Sequence, residues 1–156
     1  FFGMSYYARV SHDPMPITYM HSPSKIKKLN KPHDDMWEYH PEGLRTCLDR
    51  YWNLYRKPII ITESGVADAT DTLRQRAIVD YARIVHQALR DGMDIRGYFW
   101  WSTWDNFEWN LGPSMRFGLY ECDLVTKDRK PRPSAEIYRK LAHYKLIEPS
   151  EESISI

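Results

Sequence analysis

Hydrophobic positions along the chain follow two periods, and the changes between them mark the elements. In Pro58-Ile59-Ile60-Ile61-Thr62-Glu63-Ser64-Gly65 a nearly unbroken apolar run ends in a carboxylate and a glycine. A short β-branched run is what a strand buried on both faces requires, as in a parallel sheet covered by helices. Pro58 can open such a strand but not sit inside it, and Gly65 permits a sharp turn where it stops. Alternation along the strand predicts Ile59, Ile61 and Glu63 on one face, with Ile60 and Thr62 on the other. Glu63 then stands at the carboxyl end of its strand, where parallel α/β folds carry their chemistry. Phe1 to Tyr7 predicts a second strand with Gly3, Ser5 and Tyr7 on one face. Ile95 to Trp101 predicts a third with Ile95, Gly97, Phe99 and Trp101 on one side.

The helical period appears three times. Gly43 to Tyr55 places Leu44, Cys47, Leu48, Tyr51, Trp52 and Tyr55 on one stripe, with Pro41 near its start. Thr72 to Asp91 repeats Leu73, Ala77, Ile78, Tyr81, Val85, Ala88 and Leu89, with Asp71 as N-cap and Gly92 just past the end. A last helix is expected after a capping Ser134, burying Ile137, Tyr138, Leu141 and Ala142. Gly118 to Val125 and Thr126 to Lys130 predict a small hairpin. The order βαβαβα predicts an α/β fold with a parallel sheet and right-handed crossovers.

Between the first strand and first helix, Ala8 to His40 reads as a long irregular connection. It holds Pro14, Pro16, Pro23 and Pro32 and a basic patch at Lys25, Lys27, Lys28 and Lys31. Connections of this length in a compact domain are functional lids or disordered. With no aromatics interleaved, the lysines read as a solvated face, so no nucleic-acid partner is expected. His12, His21, His33 and His40 lack ligand spacing, and no metal is expected. The net charge of +1 points to no polyanion or membrane surface. No apolar run is long enough to span a bilayer. Cys47 and Cys122 make no disulfide framework and read as small core residues. No signal peptide is legible, but the chain opens on Phe1 without an initiator methionine, so this absence carries little weight; the compartment is left open, with a cytoplasmic one favoured.

Aromatic content changes the picture: it reaches 14%, with six Trp and eleven Tyr among 156 residues. Much of it lies beside acids in Trp100-Trp101-Ser102-Thr103-Trp104-Asp105-Asn106-Phe107-Glu108-Trp109. Buried Trp and Tyr need partners for their polar ends, so a plain core would favour Leu and Val. Aromatic faces next to carboxylates suit a sugar, the ring taking the C–H face and the acid the hydroxyls. Read alone, Glu63 is what a strand-end Glu usually is, an ion-paired or solvated residue. Tyr7, Trp101 and Phe117 could be core aromatics, and Glu108 and Asp105 ordinary loop acids.

Taken together, these segments resemble glycoside hydrolase family 1, the β-glucosidases and β-glycosidases. Thr62-Glu63-Ser64-Gly65 resembles the nucleophile motif, and Tyr39-His40-Pro41-Glu42-Gly43-Leu44 the segment leading into the preceding helix. Gly97-Tyr98-Phe99-Trp100-Trp101-Ser102 and Asp105-Asn106-Phe107-Glu108-Trp109 resemble the last barrel strand and its sugar-binding loop. Arg116-Phe117-Gly118-Leu119-Tyr120 and Arg132-Pro133-Ser134-Ala135 also fit, in the right order and spacing from Phe1 to about Tyr144.

The resemblance implies the C-terminal part of a (β/α)8 TIM barrel over residues 1–146, covering about the last three β/α units, with 147–156 a polar tail. A complete barrel takes about 250 residues, so the N-terminal barrel portion is expected as a separate chain or missing segment. The family's acid/base glutamate lies in a Thr-x-Asn-Glu-Pro motif absent here; Glu148-Pro149 follows the last helix and is a poor substitute. By resemblance, Glu63 is the nucleophile of a retaining reaction and Tyr7 its hydrogen-bond partner. Glu108 and Trp109 bind sugar hydroxyls, Trp101 lies under the ring and Phe117 walls the pocket. No cofactor is implied, and the substrate is a β-glycoside or oligosaccharide.

Two residues depart from the family pattern. Ser5 stands where Asn is usual, and Ser64 replaces the common Asn after the nucleophile, a change expected to point away from the sugar. The Ser and Lys that bind a 6-phosphate are lacking, with Met115 near that lysine's place, so a plain glycoside is expected. One alternative is a non-catalytic sugar-binding or scaffold protein. Another is a fragment without function of its own, whose open strand edges would drive aggregation or homo-oligomerisation.

Overall fold

The computed structural model describes residues 1–9 and 32–144. The lysine patch, most of the long connection and the polar tail lie outside the described residues. Three parallel strands form one sheet in the order β1 (Phe2–Ser5), β2 (Ile59–Glu63), β3 (Ile95–Tyr98). Helices α1 (Glu42–Tyr55) and α2 (Thr72–Arg90) link them, and α3 (Pro133–Tyr144) closes the described chain. A short antiparallel ribbon of β4 (Tyr120–Cys122) and β5 (Arg129–Pro131) stands where the hairpin was expected, with shorter strands.

Among the described residues the sheet is covered on one face only. Ile59 and Ile61 are buried with Met4, Leu44, Leu48, Ile78 and Tyr81 against the helices. Each such aliphatic side chain contributes about 1.5–3 kcal/mol. On the other face Gly3, Ser5, Thr62 and Phe99 are exposed, and Ile60 is half-buried. The strand expected to be buried on both faces is therefore one-sided among the described residues, because the helices all pack on the same side.

One irregularity corrects the predicted face of Glu63. Met4 pairs with Ile61 but Ser5 pairs with Glu63, so β2 holds one extra residue there. Such a bulge re-aims the side chain that follows it. Glu63 thereby leaves the face of Ile59 and Ile61 and joins that of Ser5 and Tyr7.

The helix ends divide between confirmation and correction. At the end of α2, Gly92 has φ +86°. Its N–H donates to Leu89 O, and Met93 N–H donates to Ala88 O. This is the paired αL cap expected of glycine at that site. Asp71, expected as N-cap, has φ 67° and makes no side-chain cap bond. Instead Asp68 accepts the Arg74 N–H at 3.1 Å.

The carboxylate of Asp71 pairs with the buried Arg74 guanidinium and accepts the Ser134 N–H (2.9 Å) and hydroxyl (2.6 Å). Ser134 is thus no cap; α3 begins at Pro133, and Ser134 ties its first turn to α2. Leu89 and Ala142, expected inside, are exposed. Cys122 is buried, Cys47 is half-buried and both are free.

Candidate active site

The expected chemistry gathers at the carboxyl ends of the three strands. Main-chain bonds continue past them: Tyr6 N–H donates to Glu63 O at 3.0 Å and Trp101 N–H to Ser64 O at 2.8 Å. These carry Tyr7, Glu63 and Trp101 to one rim. Gly65 is needed here for close approach rather than for an unusual φ, since a Cβ would lie 2.0 Å from Trp101 O.

The Tyr7 hydroxyl donates to Glu63 Oε2 at 2.9 Å. Burial, the bond to Glu63, and the charges of Glu63 and Glu108 together push the phenol well above its ordinary range. Tyr7 therefore stays protonated and remains a donor. Its ring packs 5.1 Å from Trp37 and meets Phe117 edge-on at 6.3 Å. Trp37 and Phe117 lie 6.0 Å apart, and Phe117 is only 1% exposed.

Phe117 is held from behind. Arg116 O accepts the Asp68 N–H at 2.9 Å and a bond from the Arg74 guanidinium. Phe117 O accepts Ser102 N–H, and Gly118 N–H donates to Asp105 Oδ1 at 3.0 Å. Asp105, readable as a loop acid, is instead buried and paired with Arg132 at 2.8 Å and Arg116 at 3.4 Å. Burial pushes its carboxyl up, but the Arg132 bond, the Gly118 N–H and the two guanidinium charges outweigh it. The net shift is downward.

Glu108 and Trp109 line a cavity of about 440 Å³ with Asp35, Met36, Trp37 and Met115. Trp37 therefore links this cavity to the Tyr7–Glu63 pair. Trp109 is 83% exposed, in a left-handed backbone conformation at φ 46°. Trp101 is half-buried and joins the site through its main chain. Ser64 is fully buried. Ser5 shares a hydrogen bond with Thr62 at 3.2 Å.

A larger cleft of about 950 Å³ lies between α1 and α2 and holds none of these residues. Among the described residues no group of three or more His, Cys, Asp or Glu is placed to hold a metal ion. No described helix is long and apolar enough to cross a membrane.

Sequence reasoning missed Trp37, Asp34 and Arg74. Trp37 precedes the recognisable Tyr39-His40-Pro41-Glu42-Gly43-Leu44 segment by two positions, the one signal that pointed to it. Asp34 three residues earlier carries the spacing of an Asx turn.

The family model described as glycosyl hydrolase family 1 matches residues 1–146. A β-galactosidase of Sulfolobus acidocaldarius is 40% identical over 148 residues, which cover 89% of this chain and 30% of that protein. A β-galactosidase of Saccharolobus solfataricus is 47% identical over 106 residues, 68% of this chain and 22% of that one. The crystal structure of a hyperthermophilic β-glucosidase from Pyrococcus furiosus aligns with a TM-score of 0.84 at 39% identity. That alignment covers 96% of this chain and 34% of the other. The chain thus spans about a third or less of the length of these relatives. Its parallel β/α units are part of a TIM barrel.

Proposed function

This chain belongs to glycosyl hydrolase family 1, and we propose that it supplies the nucleophile and part of the sugar pocket of a retaining β-glycosidase. In that reading Glu63 attacks the anomeric carbon of a terminal β-linked sugar. A C–O bond forms to the carboxylate as the glycosidic C–O bond breaks. The departing oxygen takes its proton from an acid carboxyl elsewhere in the complete barrel. Water then attacks the glycosyl-enzyme, gives its proton to that carboxylate and restores Glu63.

The observation that carries this reading is the 2.9 Å bond from Tyr7 to Glu63 Oε2 at the strand ends. A carboxylate that acts as nucleophile needs one oxygen held and the other free to reach the anomeric carbon. Tyr7, held protonated, serves as the donor that holds one oxygen, leaving Oε1 to attack. Glu108 accepts hydroxyls of the bound sugar beside Trp109, Trp101 takes the C–H face of its ring, and Phe117 closes the wall behind Tyr7. Relatives named as β-galactosidases and β-glucosidases support a plain β-hexoside as the substrate class. No cofactor enters.

A second reading has the chain bind sugar without hydrolysing it. The test is Glu63→Gly in a complete barrel that contains this chain. Loss of turnover with inhibitor binding retained supports the proposal, and unchanged turnover refutes it. If the complete barrel binds the inhibitor but never hydrolyses a β-glycoside, the second reading takes its place.

A further inference from the structure

Asp34 lies behind the site without touching the Tyr7–Glu63 pair. It is 7% exposed. Its Oδ1 accepts the backbone N–H groups of Met36, at 2.6 Å, and of Trp37. Its Oδ2 accepts the N–H of Ala67 at 3.0 Å. The first two bonds close an Asx turn within its own loop. The third reaches the segment leaving β2 just beyond Glu63. Asp35 N–H adds a main-chain bond to Ala67 O at 2.8 Å. One buried carboxylate thus fastens together the loop that carries Trp37 and the loop that follows Glu63. Trp37, anchored through its amide, presses its ring to 5.1 Å from Tyr7.

We propose that Asp34 is a positioning residue, whose carboxylate holds Trp37 against Tyr7 and so fixes the direction from which the Tyr7 hydroxyl reaches Glu63. This rests on the reading of Tyr7 and Glu63 given above. Hydrogen bonds to an ionised acceptor are roughly twice as strong as those between neutral groups, so the grip on Trp37 depends on the charge of Asp34. Burial pushes that carboxyl up to about 6, against the pull of the Trp37, Met36 and Ala67 N–H groups, and Asp35 adds to the rise.

The other ionisable neighbours are identifiable. A ring nitrogen of His33 meets the Asp34 carbonyl oxygen at 2.7 Å, and Tyr81 of α2 feels the Asp34 charge. Tyr39, Asp68 and Arg76 share a cleft of about 430 Å³ with Asp34 and Asp35. Burial raises Tyr39 and Tyr81, which keeps both protonated. Burial acts upward on Asp68 too, but its Thr70 and Arg74 bonds win, so it is ionised throughout the range where Asp34 titrates. Acidification through about pH 6 therefore neutralises Asp34 and weakens its hold on the Trp37 loop.

Fluorine NMR of the full chain carrying 5-fluorotryptophan tests this, with the Trp37 resonance identified by its loss in Trp37→Phe. The expected result is a Trp37 resonance that shifts with a midpoint of about 6 and keeps that midpoint in His33→Gln. In Asp34→Asn the same resonance is displaced at every pH and no longer titrates. A Trp37 resonance that is unmoved between pH 5 and 7, or that titrates unchanged in Asp34→Asn, overturns the proposal. Should Asp34→Asn not fold, the wild-type titration and the His33→Gln control decide the matter. None of these readings needs turnover, so this inference and the proposed hydrolysis can fail separately. In an active complete barrel, Asp34→Asn lowers kcat about tenfold with little change in KM, and an unchanged kcat contradicts the positioning role.

Discussion

The Tyr7 hydroxyl and Glu63 Oε2 meet at 2.9 Å across a sequence separation of 56 residues. The contact exists because β1 and β2 are parallel neighbours and because a bulge in β2 turns Glu63 toward the Ser5 side. Hydrogen bonds to charged groups contribute about 1.5–3 kcal/mol. Tyr7→Phe is therefore expected to lower kcat/KM of an active complete barrel roughly ten- to hundredfold. Steady-state kinetics on a β-glycoside checks this, and unchanged kinetics removes Tyr7 from the site.

Asp105 is the anchor beneath the loop that carries Phe117. It is 1% exposed and paired with Arg132 and Arg116. Removing one partner of a buried pair leaves the other uncompensated, at a cost of about 3–5 kcal/mol. Asp105→Ala is expected to lose that much stability in a urea titration, whereas a loss under about 1 kcal/mol is the surface-pair result.

The same pair sets one pH dependence. The Asp105 carboxyl is lowered in the fold, so its contribution is present above the unfolded carboxylate value. It disappears as pH falls through the folded one. Asp34 works in the opposite direction. Its carboxyl is raised from 3.8 to about 6, so its contribution is full below 3.8 and is lost as pH rises through about 6. The span corresponds to at most about 3 kcal/mol. Urea midpoints at pH 4 and pH 7 should show Asp34→Asn without this component of the difference, and identical pH profiles for mutant and wild type contradict it.

Gly65 gives a steric prediction. A Cβ there would sit 2.0 Å from Trp101 O, a backbone atom that cannot swing aside. Gly65→Ala should break the link between the ends of β2 and β3 and lower the melting temperature sharply, by about 10 °C or more for a cost of several kcal/mol. A melting temperature within a degree or two of wild type rules the clash out.

Local signals explain what the sequence made legible. Period-2 and period-3.6 patterns located the strands and helices, and Gly92 marked the end of α2 because a left-handed cap needs glycine. The motifs around Glu63, Glu108 and Phe117 pointed to the candidate site. The face of Glu63 was misread because a bulge is an insertion relative to a neighbour 58 positions away, visible only once Ser5 and Glu63 are paired. Asp71 and Ser134 look like caps in their own segments, and nothing local shows that each satisfies the other across 63 positions. Arg74 sits on a helix face that reads as polar, yet it is fully buried, because Asp71 and two carbonyl oxygens meet it there.

Covalent trapping tests the central claim most directly. A complete barrel containing this chain would be incubated with a 2-deoxy-2-fluoro β-glycoside, then digested and mapped by mass spectrometry. The sugar is expected on Glu63, and on no residue of this chain in Glu63→Gly. Steady hydrolysis of β-glycosides with the label on another carboxylate, or surviving in Glu63→Gly, would contradict the assignment.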